Sequence, residues 1–89
     1  MIRKRMLISG RVQGVYYRDT CRQVARAHGV AGWVRNLPDG RVEAVFEGDE
    51  GPVAALLTWC GDGPPEANVT GVEARDESVE GLNSFEIRR

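Results

Sequence analysis

The chain is poor in the features that mark specialised architectures. Its two cysteines, Cys21 and Cys60, are too few for a disulfide framework. They stand far apart and in no Cys-x-x-Cys pair, which argues against a zinc site and for buried free thiols acting as small core residues. The single histidine, His28, falls at the end of a predicted helix, where its cationic form suits the helix dipole, and it is given no catalytic part. Long hydrophobic runs are missing. The basic opening "MIRKRMLISG" turns apolar only briefly before Gly10, far short of a signal-peptide core or a membrane span. A cytoplasmic protein with no membrane contact is expected. Nor does one charge sign prevail: the formal net charge is -1 and the pI is near 5.8. A nucleic-acid partner would need clustered cations to displace counterions, so any bound anion is expected to be small. Arginine outnumbers lysine eleven to one, a skew that carries no mechanistic weight.

What is present describes one globular domain over residues 1–89, with 42% hydrophobic residues and no repeat, linker or low-complexity tract. "RMLISG" predicts a strand from about Arg3 to Ser9, with Met6 and Ile8 on one face and Leu7 on the other. A helix follows from about Tyr16 to His28, placing Tyr17, Cys21, Val24 and His28 on one stripe, with Gly29 suited to the position after its end. "VAGWVRN" reads as a strand, "LPDG" as a turn and "RVEAVFEG" as the returning arm of a hairpin. In that arm Val42, Ala44 and Phe46 share a buried face, and Arg41, Glu43 and Glu47 predict a charged, wet outer face. "DEGPVAALLTWCGDG" predicts a second helix with Pro52 in its first turn and Gly61 as its stop. Asn68 to Arg75 and "SFEIRR" predict two further strands. The fold class is α+β: a ferredoxin-like β-α-β-β-α-β sandwich with an extra C-terminal strand, its antiparallel-rich sheet carrying both helices on one face. That fold hosts carriers, RNA binders, sensors and enzymes, so it does not choose a function.

The stretch "GRVQGVYYRD" is more informative. It sets Arg18 in the first turn of a helix, where the dipole makes a cation cost ~0.3–1 kcal/mol. Glycines let the preceding backbone turn sharply, and unpaired N–H groups at a helix start converge on whatever lies in front of them, a cup suited to phosphate. With an anion in the cup, the Arg18 guanidinium makes two parallel charge-assisted bonds to it. Without one, Arg18 points to solvent or pairs with a carboxylate. The loop alone leaves both open.

The same residues resemble the signature of the acylphosphatases: "ISGRVQGVYYR", Ile8 to Arg18, and "GWVRNLPDGRVEAVFEG", Gly32 to Gly48, match its two motifs. "WCGDGPPEANVTGVE" and "SFEIRR" resemble the later segments, so the likeness spans essentially the full length. Tyr17 departs from a commoner phenylalanine, and its added hydroxyl needs a partner. The resemblance implies hydrolysis of the carboxyl-phosphate bond of acyl phosphates without cofactor or metal. It implies that Arg18 and the loop of Gln13, Gly14, Val15, Tyr16 and Tyr17 bind the phosphoryl group, and that Asn36 orients the attacking water. Read without the family, Asn36 is simply the residue that opens the "LPDG" turn. The expected partner is a small acyl phosphate and the expected state a monomer. A noncatalytic ligand-binding module and, more distantly, an RNA-binding domain are the rival readings; the latter needs exposed aromatics and a basic sheet, where this sequence offers acidic or aliphatic positions.

Overall fold

The computed structural model describes residues 1–89. Its elements run β1 (Ile2–Arg11), α1 (Tyr17–Ala27), β2 (Ala31–Asn36), β3 (Val42–Gly48), α2 (Glu50–Asp62), β4 (Asn68–Glu77) and β5 (Phe85–Ile87). They form one five-stranded sheet in the order β4-β1-β3-β2-β5. Every pairing is antiparallel except that of β2 with β5. The helices cover one face of this expected sandwich, α1 packing over β2 and β5, and α2 over β1, β3 and β4.

Between sheet and helices lies the core. Met6, Ile8, Val34, Val42 and Phe46 meet Tyr17, Cys21 and Ala25 of α1 and Val53, Leu56 and Cys60 of α2. The Tyr17 and Trp59 rings meet at 5.0 Å between centroids where the two helices come together. His28 is exposed, and Ala25 takes the buried place that the helical stripe had assigned to it. The end of α1 is a Schellman arrangement, with Gly29 N–H donating to Arg26 O (3.2 Å) and Val30 N–H to Ala25 O (2.9 Å). Helix α2 continues past Gly61, its expected stop, to Asp62, and closes at Gly63, whose N–H donates to Trp59 O at 2.8 Å.

β1 is longer than its local pattern predicts because β4 pairs with it as far as Arg11↔Asn68, past a bulge between Ser9 and Gly10. At the bulge Gly10 has φ 117°, and a Cβ there would lie 2.2 Å from Asn68 O, so only glycine lets the two backbones approach.

The outer face of β3 corrects the sequence reading. It is not wet: Glu47 is 0% exposed, Glu43 8% and Val45 0%. Arg3, its register partner on β1, donates to Glu47 Oε2 at 2.7 Å, and the connection between β4 and β5 folds over this face. The backbone N–H groups of Glu80, Gly81 and Leu82 donate to the two Glu47 carboxylate oxygens at 2.9, 3.1 and 2.9 Å. Glu43 is shared by Arg5 and Arg35, and Glu77 by Arg3 and Arg5. Trp33 is buried on this face beneath the guanidinium groups of Arg5, Arg35 and Arg88, 4.9–5.5 Å from its ring centre.

Candidate active site

The connection from β1 to α1 is pinned by alternate residues. Val12 and Val15 are buried in the core, while Gln13, Gly14 and Tyr16 stay accessible, so the main chain between the two valines is held at the surface. Gly14 has φ 72° with nothing within 4 Å of where a Cβ would sit; the backbone angle, not crowding, asks for glycine. Tyr16 takes a left-handed conformation (φ 64°, ψ 24°) and is the one non-glycine residue with positive φ. Such a conformation costs on the order of 1 kcal/mol and concentrates at functional sites. Its ring is 70% exposed.

These angles start α1 without a side-chain cap. The first bond into the helix runs from Thr20 N–H to Tyr16 O at 3.1 Å. The N–H groups from Gln13 through Asp19 donate to nothing within the protein; the backbone donors that reach side chains belong to Arg41, Glu80, Gly81 and Leu82. A run of free donors at the positive end of a helix is an anion cradle.

Arg18 stands at the end of that run, half-buried, and enters no ion pair. Its neighbour Asp19 is bonded to Arg22 at 3.5 Å across the helical turn, as their spacing predicts. Asn36 ends β2, and its side-chain Oδ1 is buried with no hydrogen-bond partner. A buried acceptor left unpaired is costly, and in a native structure it points to strain or function.

The sheet brings these groups to one cleft of about 860 Å³, whose walls include Gly14, Tyr16, Tyr17, Arg18 and Asn36. Gln13 and Val15 do not line it: Val15 is in the core, and the Gln13 side chain turns to the hairpin between β2 and β3. Asp19, Arg22, Ile87 and Arg89 also line the cleft, beyond the residues to which the sequence motifs point. Arg22 lies one helical turn beyond Arg18 and was within reach of periodicity. Ile87 and Arg89 were not, because they arrive through the pairing of β5 with β2.

The extra hydroxyl of Tyr17 is satisfied: it donates to Cys60 O at 2.8 Å, inside the protein. Burial, then the Cys60 neighbourhood, drives its pKa far above the ordinary phenol value. Burial also lifts the Cys21 thiol well above its usual range and pushes Cys60 up to about 12 against the opposing bond from Tyr17. Both thiols are free and buried, as expected. No three His, Cys, Asp or Glu side chains group closely enough to hold a metal ion.

A family model described as Acylphosphatase matches residues 4–87. The chain belongs to the acylphosphatase family. An acylphosphatase of Rubrobacter xylanophilus is 58% identical over 87 residues, covering 97% of this chain and 79% of that protein. One from Haloarcula marismortui is 56% identical over 86 residues, covering 97% and 94%. The crystal structure of an acylphosphatase from Bacillus subtilis superposes with a TM-score of 0.97 at 36% identity, covering all of both chains. As an acylphosphatase the chain is an enzyme. No helix in this acylphosphatase is long and apolar enough to cross a membrane.

Proposed function

We propose that the enzyme cleaves the carboxyl-phosphate bond of acyl phosphates by direct attack of water, with Arg18 and the main-chain N–H groups of Gln13 to Tyr17 holding the phosphoryl oxygens and Asn36 aiming the water. The observation that carries this reading is the run of free N–H groups ending at an unpaired guanidinium, in one cleft with Asn36. The side-chain amide of Asn36, a residue of the cleft wall, holds the water so that a lone pair stays free to face phosphorus. The water oxygen bonds to phosphorus as the P–O bond to the acyl group breaks, and the carboxylate leaves with the electron pair. Its conjugate acid has a pKa of ~4, so it needs no general acid. The water's proton passes to a phosphoryl oxygen.

Phosphoryl transfer is loose in its transition state, so positioning and charge stabilisation supply most of the acceleration. Arg18 and the N–H cradle meet the charge on the equatorial oxygens, the part often taken by a metal ion. The reading is metal-independent. It also takes residues 1–89 as one acylphosphatase-like domain acting as a cytoplasmic monomer on a small molecule. The cations Arg3, Arg5 and Arg35 of the outer sheet face are neutralised by carboxylates, which leaves little attraction there for nucleic acid.

The test is turnover of acetyl phosphate in EDTA. Undiminished hydrolysis is expected, with Arg18→Ala lowering kcat/KM by about 10²–10³-fold. A chelator-sensitive rate, or an Arg18→Ala protein as active as the parent, overturns the reading.

A further inference from the structure

Between the N–H cradle and Asn36 stands one side chain whose contacts the reaction scheme leaves unused. The Gln13 amide nitrogen donates both its hydrogens, to Leu37 O at 2.8 Å and to Arg41 O at 3.0 Å. Those carbonyls belong to the residues that close the β2–β3 hairpin: Leu37 N–H donates to Arg41 O at 2.8 Å, and Gly40 N–H to Leu37 O at 3.2 Å. Asn36 directly precedes Leu37. The orientation of the amide is forced, because two carbonyl oxygens can only be met by the NH₂ end. No other hydrogen bond joins the loop of residues 12–16 to the hairpin of residues 37–41. β1 and β3 are last paired at Ile8↔Val42, short of both segments.

We propose that the Gln13 side chain is a positioning residue that fixes the distance between the phosphate cradle and Asn36, touching neither substrate nor water itself. This rests on the roles given above to the cradle and to Asn36. The residue serves twice: its backbone N–H belongs to the cradle, and its side chain ties that cradle to the strand end carrying the water-aiming group. Clamping two carbonyls with one planar amide fixes both separation and tilt. The free N–H groups alone would hold phosphate without setting where the water stands. Each carbonyl keeps its hairpin bond when the amide is removed, so a variant there loses the tie without unmaking the turn.

The experiment uses the full chain as Gln13→Met, which matches the length and lacks the donors, alone and combined with Asn36→Ala. Acetyl phosphate turnover and competitive inhibition by inorganic phosphate are measured. Gln13→Met is expected to lower kcat by about ten- to a hundred-fold, the scale of a misplacement of about 1 Å. The inhibition constant for phosphate should hold within about two-fold, because the N–H cradle is main chain. In the Asn36→Ala background, Gln13→Met should cause no further loss of kcat. If Gln13→Met fails to fold, Gln13→Asn keeps the amide but is one methylene too short to reach both carbonyls, and the same pattern is expected of it. Independent, multiplying losses of kcat, or a phosphate inhibition constant that rises in step with the loss, overturn the inference while leaving the proposed roles of Arg18 and Asn36 standing. An Asn36→Ala enzyme with parental kcat overturns both.

Discussion

At the scale of single residues, the site is built from groups that the fold leaves unsatisfied. Asn36 Oδ1 is buried without a partner, and that penalty vanishes when the side chain is removed. Asn36→Ala is therefore expected to lower kcat by about a hundred-fold. Its urea midpoint should stay the same or rise, by up to ~1 kcal/mol of stability. Denaturation and turnover measured on the same preparation check both halves. Tyr17 is the converse case, a fully satisfied group next to the site. Tyr17→Phe removes the donor to Cys60 O and strands a buried carbonyl, so it should cost about 1–3 kcal/mol with kcat unchanged. Urea unfolding with an activity assay tests this. The need for a hydroxyl partner was legible in the sequence, but its identity was not, since Cys60 lies on the other helix.

At the scale of elements, local patterns gave the existence and type of all seven, and the errors lie where a partner is remote. The alternation of "RVEAVFEG" is correct as a strand signal, yet it cannot tell water from a covering segment. Arg3 and the N–H groups of Glu80, Gly81 and Leu82, which make the outer face of β3 an interior, come from opposite ends of the chain. Burial alone would raise the Glu47 pKa, but the bond from Glu80 N–H, the Arg3 guanidinium and the bonds from Leu82 and Gly81 outweigh it and hold the carboxyl at about 2. A folded pKa below the ordinary 4.5 means stabilisation that is full above about 4.5 and lost as pH falls toward about 2. Glu47→Gln should destabilise the protein at pH 7 by about 1–3 kcal/mol, because each Glu47 oxygen accepts two hydrogen bonds and an NH₂ in place of either would face donors. The gap between variant and parent should narrow between pH 4.5 and pH 2. Urea titrations of both proteins across that range provide the measurement, and a constant gap would remove Glu47 from the pH response.

At the scale of the whole molecule, the cleft is assembled from three regions: the β1–α1 loop with the first turns of α1, the end of β2 and the segment around β5. The first two carry family motifs and were readable as a pair of signatures. The third was invisible as a site component, since the closing "SFEIRR" reads only as a short strand until its parallel pairing with β2 is known. The left-handed angle of Tyr16 was equally hidden, because no tyrosine announces it. Two glycines ahead of Arg18 could suggest a cradle, but only the backbone reveals that its donors are all free.

The placing of β1 between β3 and β4 sets how the protein breathes. The N–H groups of β1 point alternately to β3 and to β4, so those facing β3 lie between two strands that are each bonded on both edges, whereas β5 is joined to β2 alone, over Gly32 to Val34. The β1 amides that face β3 are expected to exchange with solvent deuterium through global unfolding, and those of β5 through a smaller opening that leaves the rest closed. Residue-resolved exchange in mild denaturant would register the difference, and equal protection in the two strands would refute it. Since Ile87 walls the cleft, each such opening briefly takes that cleft apart without unfolding the chain.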